Sequence, residues 1–180
     1  MRYSLICLFF LSTCLMAGPI DGKKRIFLES SNGELIYIAD INFETIHGQT
    51  SYKISLKEEP FTDQFLSMRP FQCIMGERQV MCHVPYPYPK EGNITETDLS
   101  ELSYDLLFLH KSPSEYGINL WNGLFYKLAV KDNSIVGAVF EVDMNIIASP
   151  PDNKDAPFAE DEIFEADVAN YLYPRILIQE

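Results

Sequence analysis

The chain has 180 residues, of which 47% are hydrophobic, 22% charged and 13% aromatic, a composition that folds around a core and does not stay disordered. Its formal net charge of −12 argues against nucleic-acid binding and against docking on an anionic membrane. No apolar run reaches the roughly 18–20 residues of a membrane-spanning helix, and the length suits one domain.

Residues 1–17 read as a secretory signal, leaving residues 18–180 as a single β-rich domain. Arg2 supplies the positive start, Leu5 to Ala17 an apolar stretch too short to span a bilayer, and Ala17 a small residue at the cleavage position. Gly18-Pro19 then breaks the pattern. Leu11-Ser12-Thr13-Cys14 approaches a bacterial lipobox, but Thr13 departs from the small residue usual before the cysteine, so no lipid anchor on Cys14 is expected. Cleavage removes one cation and no acid, so the exported chain carries −13. An exported protein, periplasmic or secreted, is the expectation.

Lys24 to Glu29 has the character of a short strand. Asn32-Gly33 is a hairpin signal. From Leu35 to Phe43 apolar residues alternate, which is the period of a strand, and Ser51 to Leu56 alternates again after a turn at Gly48-Gln49. Lys57 to Pro70 reads as a connection.

Two of the four cysteines, Cys7 and Cys14, leave with the signal. Cys73 and Cys82 remain, with Gly76-Glu77-Arg78 near their midpoint to turn the chain. Two strands would then bring them face to face as a disulfide, the bond an oxidising compartment favours. The spacing C-x8-C-H fits neither a zinc site nor a redox pair.

Pro85-Tyr86-Pro87-Tyr88-Pro89 is extended and poor in backbone donors. Its tyrosines either cover a sheet or form an exposed aromatic surface. Gly92-Asn93-Ile94-Thr95 holds an N-x-T tripeptide. Asp98 with Glu101 resembles a capping box and predicts a helix from 98 to about 109, although Leu106 to Leu109 suits a buried strand equally well.

Ser112 to Gly123 is a loop holding Tyr116 and Trp121, the only tryptophan. Leu124 to Val130 and Ile135 to Met144 form a hairpin about Lys131-Asp132-Asn133-Ser134, and Gly137 inside it signals a bulge or a close backbone approach. Asp152 to Asp167 carries seven acids and one lysine. Helical spacing from Ile163 to Leu172 predicts a C-terminal helix, and Arg175 to Gln179 an edge strand. The fold class expected is α+β, mainly antiparallel β, with about seven or eight strands in meanders and hairpins and one or two short helices.

The chain has no G-x-S-x-G elbow, H-E-x-x-H, P-loop or G-x-G-x-x-G pattern. Glu44 and His47 form E-x-x-H, but on a strand that spacing puts them on opposite faces. Asp152-Asn153-Lys154-Asp155 offers oxygen ligands without the order or glycine of an EF-hand. No catalytic, cofactor or metal residue is assigned. The expectation is an exported non-catalytic binding or structural protein. The alternatives are a hydrolase with a dispersed site and an acidic inhibitor or partner of a basic protein. Tyr86, Tyr88, Tyr116 and Trp121 are the candidate partner-binding residues. Tyr and Trp bury large area with few rotors, and these four lie in connections, where binding groups concentrate.

Overall fold

The computed structural model describes residues 20–67, 70–151 and 157–180. The expected signal segment, Cys14 included, lies outside them. Among the described residues the strands are β1 (Gly22–Glu29), β2 (Leu35–Ile46), β3 (Gln49–Leu56), β4 (Thr62–Phe65), β5 (Pro70–Met75) and β6 (Val80–His83). They continue with β7 (Asn93–Ile94), β8 (Phe108–Lys111), β9 (Gly123–Lys131), β10 (Ser134–Val142), β11 (Ile163–Glu165) and β12 (Arg175–Gln179). One α-helix, α1 (Ser100–Asp105), precedes β8.

All twelve strands join one sheet in the order β4-β5-β6-β8-β9-β10-β12-β1-β2-β3-β7, with β11 on β10. Every pairing between them is antiparallel. Alternation along each strand gives the sheet an inner face: Ile26 and Leu28, Ile41 and Phe43, Ile74, Met81, Phe108, Leu124, Tyr126, Ile135, Ile176 and Ile178 share one buried cluster. That cluster unites strands from opposite ends of the sheet order, so the sheet curls around its own core. Each large side chain removed from water there contributes roughly 1.5–3 kcal/mol.

On β6, β8 and the start of β9 the outer face is covered too. Tyr104, Leu107, Leu109, Phe125, Val142, Met144, Ile147 and Phe158 make a second buried layer, and Phe71, Cys73, Val80 and Cys82 a third. All four residues of β6 are consequently buried. This double burial explains why Leu106 to Leu109 is continuously apolar.

The class is β-rich with little helix, but the strand count of seven or eight was too low. The connection 57–70 contains β4, and β7, β8 and β11 are two to four residues long, too short to show a period. The helix expected over 98–109 stops at Asp105. Phe108–Lys111 instead pairs with Val80–His83, because burial on both faces outweighs one more helical turn. Asp98 Oδ1 does accept the Ser100 N–H at 3.0 Å, but Glu101 does not reach back to close a capping box. Its carboxylate takes the Glu91 and Asn93 N–H groups, each at 3.0 Å. In place of the C-terminal helix stand two 3-10 turns, Glu160–Glu162 and Val168–Asn170, around β11.

The last strand is not an edge. β12 lies between β10 and β1 at the centre of the sheet, and its Ile176 and Ile178 fill the core. Gly137 of β10 faces it closely. A Cβ there would sit 2.6 Å from Ile176 Cγ2 and 2.7 Å from Leu128 Cδ2, so the glycine marks a close approach. At His47-Gly48 the backbone turns with φ of 52° and 83°, the two positive values of a two-residue hairpin turn.

Candidate functional site

Cys73 and Cys82 stand directly opposite on β5 and β6, with Sγ–Sγ at 2.07 Å. Both are buried in the third cluster among Phe71 and Val80. The bridge ties together the hairpin whose inner face carries the main polar site. In the chain-entropy model a loop of about ten residues stabilises by roughly 2.5 kcal/mol.

That site begins with His83, at the end of β6 and 9% exposed. Its Nε2 lies 2.8 Å from the Asp105 backbone oxygen. A carbonyl only accepts, so Nε2 carries the proton and, in the neutral ring, Nδ1 is the bare acceptor. Burial pushes the His83 pKa below the ordinary value, against a smaller opposing pull from Asp105. The ring stands edge-on to Phe108, with centroids 5.5 Å apart.

Asp105 turns its carboxylate elsewhere. It accepts the Tyr52 hydroxyl at 2.8 Å and forms an ion pair with Lys90. Lys90 Nζ also donates to Tyr52 Oη at 2.8 Å and sits 5.0 Å from the centre of that ring. The lysine and aspartate side chains are 19% and 24% exposed. Burial, then the Asp105 charge, raise the Tyr52 pKa well above the ordinary tyrosine value. Tyr52 belongs to β3, Lys90 to the connection after β6, and Asp105 to the end of α1. The cluster ties β3 by side chains to α1 and to the connection after β6.

Beside it, a cleft of about 420 Å³ opens on the inner face, lined by Leu56, Asp63, Pro70, Phe71, Gln72, His83 and Pro85. Asp63, Gln72 and His83 are register partners across β4, β5 and β6, so three polar side chains form a row along one wall. The Asp63 carboxylate makes no ion pair among the described residues.

The other histidines serve elsewhere. His110 Nδ1 accepts from Gln79 Nε2 at 3.3 Å, and the ring meets Tyr171 edge-on at 5.3 Å. Gln79 Oε1 in turn accepts the Leu172 N–H at 2.9 Å, which pins the C-terminal segment. His47 is exposed in its turn. Among the described residues no three His, Cys, Asp or Glu side chains could hold a metal. The oxygen-rich stretch Asp152–Asp155 lies outside them.

The four aromatic residues divide into two pairs. Tyr86 and Tyr88 are half-buried against the second cluster. Their rings lie 5.6 Å apart, Tyr86 is 5.5 Å from Tyr104, and the Tyr88 hydroxyl donates to the Ile147 carbonyl at 3.1 Å. Tyr116 and Trp121 stand in solvent at 104% and 69% exposure. Among the described residues, no ring contact links the two pairs.

The loop that carries Tyr116 and Trp121 is held at both ends. Asn122 O accepts the His110 N–H at 3.0 Å and Leu120 O the Met144 N–H at 2.8 Å. Asn119 Oδ1 accepts the Trp121 N–H at 3.1 Å, and Ile118 packs into both outer clusters. Leu66, next to the 76% exposed Phe65, packs in the same cluster as Ile118.

Sequence reasoning missed the Tyr52–Lys90–Asp105 cluster and the row of Asp63, Gln72 and His83. The alternation of β3 pointed Tyr52 inward, but nothing local linked it to residues 38 and 53 positions away. No family model, curated protein or solved structure matches this chain.

Proposed function

We propose that the chain is an exported, non-catalytic binding protein that meets a protein partner through the loop at 112–122, with Tyr116 and Trp121 as anchors. One observation carries this reading: the only tryptophan and a neighbouring tyrosine are held in water on a loop rooted in the outer packing layers. Exposed aromatics on a pre-ordered loop suit binding, since little ordering cost remains and each ring buries a large area on contact. Tyr86 and Tyr88 support the scaffold and are not contact residues in this reading. The apolar leader and the Cys73–Cys82 bridge favour export. No helix among the described residues is long and apolar enough to cross a membrane.

The Asp105 carboxylate serves Tyr52 and Lys90, and His83 is oriented by a backbone carbonyl. That arrangement supplies no carboxylate–imidazole pair of the kind that activates a nucleophile, which favours binding over hydrolysis. The test compares the tagged protein with its Tyr116→Ala/Trp121→Ala variant, both incubated with the extracellular fraction of the producing organism. The wild type should retain a saturable partner that the variant loses at unchanged melting temperature. Equal retention by both would overturn the loop assignment.

A further inference from the structure

The cleft beside the edge strand β4 has a chemistry of its own. Its polar wall offers hydrogen-bond acceptors: the His83 Nδ1 lone pair, the Asp63 carboxylate and the Gln72 amide oxygen. Nε2 of His83 is committed to the Asp105 carbonyl; Nδ1 has no hydrogen-bond partner among the described residues, and since no polar side-chain atom sealed from solvent there lacks one, Nδ1 reaches solvent. Such an acceptor is free to take a hydrogen bond from a donor that enters the cleft. Leu56, Pro70 and Pro85 add apolar surface to the same lining. No Lys or Arg lines the cleft among the described residues.

We propose that this cleft binds an amidinium or guanidinium group attached to a small apolar body, its N–H donors shared between Asp63 and His83 and its body against Leu56, Pro70 and Pro85. Amidinium and guanidinium present paired N–H groups at fixed angles, and a carboxylate is their natural partner. Register pairing of Asp63 with Gln72 and of Gln72 with His83 puts the carboxylate and the imidazole on one face two strands apart, about 10 Å at ordinary strand spacing. A volume of about 420 Å³ lies within the usual range for small-ligand pockets. The same chemistry could come from a free small molecule or from an arginine of a partner polypeptide. The cleft is independent of the aromatic loop, whose anchors do not line it.

The test is a titration of the whole exported protein with benzamidine, followed by the NMR signals of the His83 ring and by melting temperature. Saturable shifts at His83 are expected, with affinity on the order of millimolar for so small a probe. Benzyl alcohol and benzoate, equal in body but lacking the paired cationic donors, should leave the signals in place. Asp63→Asn, at an exposed position that leaves folding intact, should weaken benzamidine about tenfold, as loss of a charge-assisted hydrogen bond does. Tyr116→Ala/Trp121→Ala should bind it as the wild type does. A blocked Gly-Arg-Gly peptide separates the sources: tighter binding than benzamidine assigns a polypeptide arginine, weaker binding a free small molecule. No saturable shift with either probe, equal shifts with benzoate, or an unchanged affinity in Asp63→Asn would overturn the proposal.

Discussion

His83 shows how one side chain connects burial to pH. The group is a base whose folded pKa lies below its ordinary value, chiefly because burial disfavours the charged ring. The unfolded chain, with a histidine pKa near 6.5, takes up a proton that the folded state refuses. Stability is therefore full above about pH 6.5 and is lost as pH falls below it. His110, also depressed mainly by burial, acts in the same direction. We expect the melting temperature to drop between pH 7.5 and 5.5, and to drop less in His83→Gln. A flat profile for the wild type across that window would contradict the buried, neutral imidazole.

At the scale of elements, the sheet centre depends on close approach between strands. Gly137 leaves no room for a Cβ against Ile176 and Leu128, and Ile176 is buried on the central strand β12. Gly137→Ala should cost about 1–3 kcal/mol, as overpacking does in filled cores, or a few degrees in melting temperature per kcal/mol. An unchanged denaturation midpoint would show that β10 and β12 separate more easily than their register implies. Much at this scale was legible in the residues. The alternation of Leu35 to Phe43, the turn chemistry at Asn32-Gly33 and at Lys131 to Ser134, and the Cys73–Cys82 spacing each marked a hairpin that is present, because hairpins are local. Two-to-four-residue strands such as β7 and β11 leave no period to read. For Leu106 to Leu109 a helix and a doubly buried strand write the same apolar run, and only the partner strand β6 decides between them.

At the scale of the molecule, the first and last strands meet at the sheet centre, where β12 inserts between β10 and β1. A strand order of this kind is set by long-range packing of Ile176 and Ile178 with Ile26 and Ile135, and residues 175–179 alone read as an edge. The candidate sites follow the same rule. Tyr116 and Trp121 were legible as aromatics in a loop. The row of Asp63, Gln72 and His83 exists only once β4 and β6 flank β5. The protein's net charge of −12 likewise hides how its groups are distributed, with the acceptor-lined cleft on the inner face and the aromatic loop rooted on the outer one.

The binding reading rests on the loop, and site-specific crosslinking addresses it most directly. A photo-reactive residue replaces Tyr116 in one protein and, in a control, Lys53 on β3, which is also exposed. Both are illuminated in the extracellular fraction of the producing organism. The account predicts a discrete, competable adduct from position 116 and none from position 53. Adducts of equal yield from both positions, or none from position 116, would contradict it.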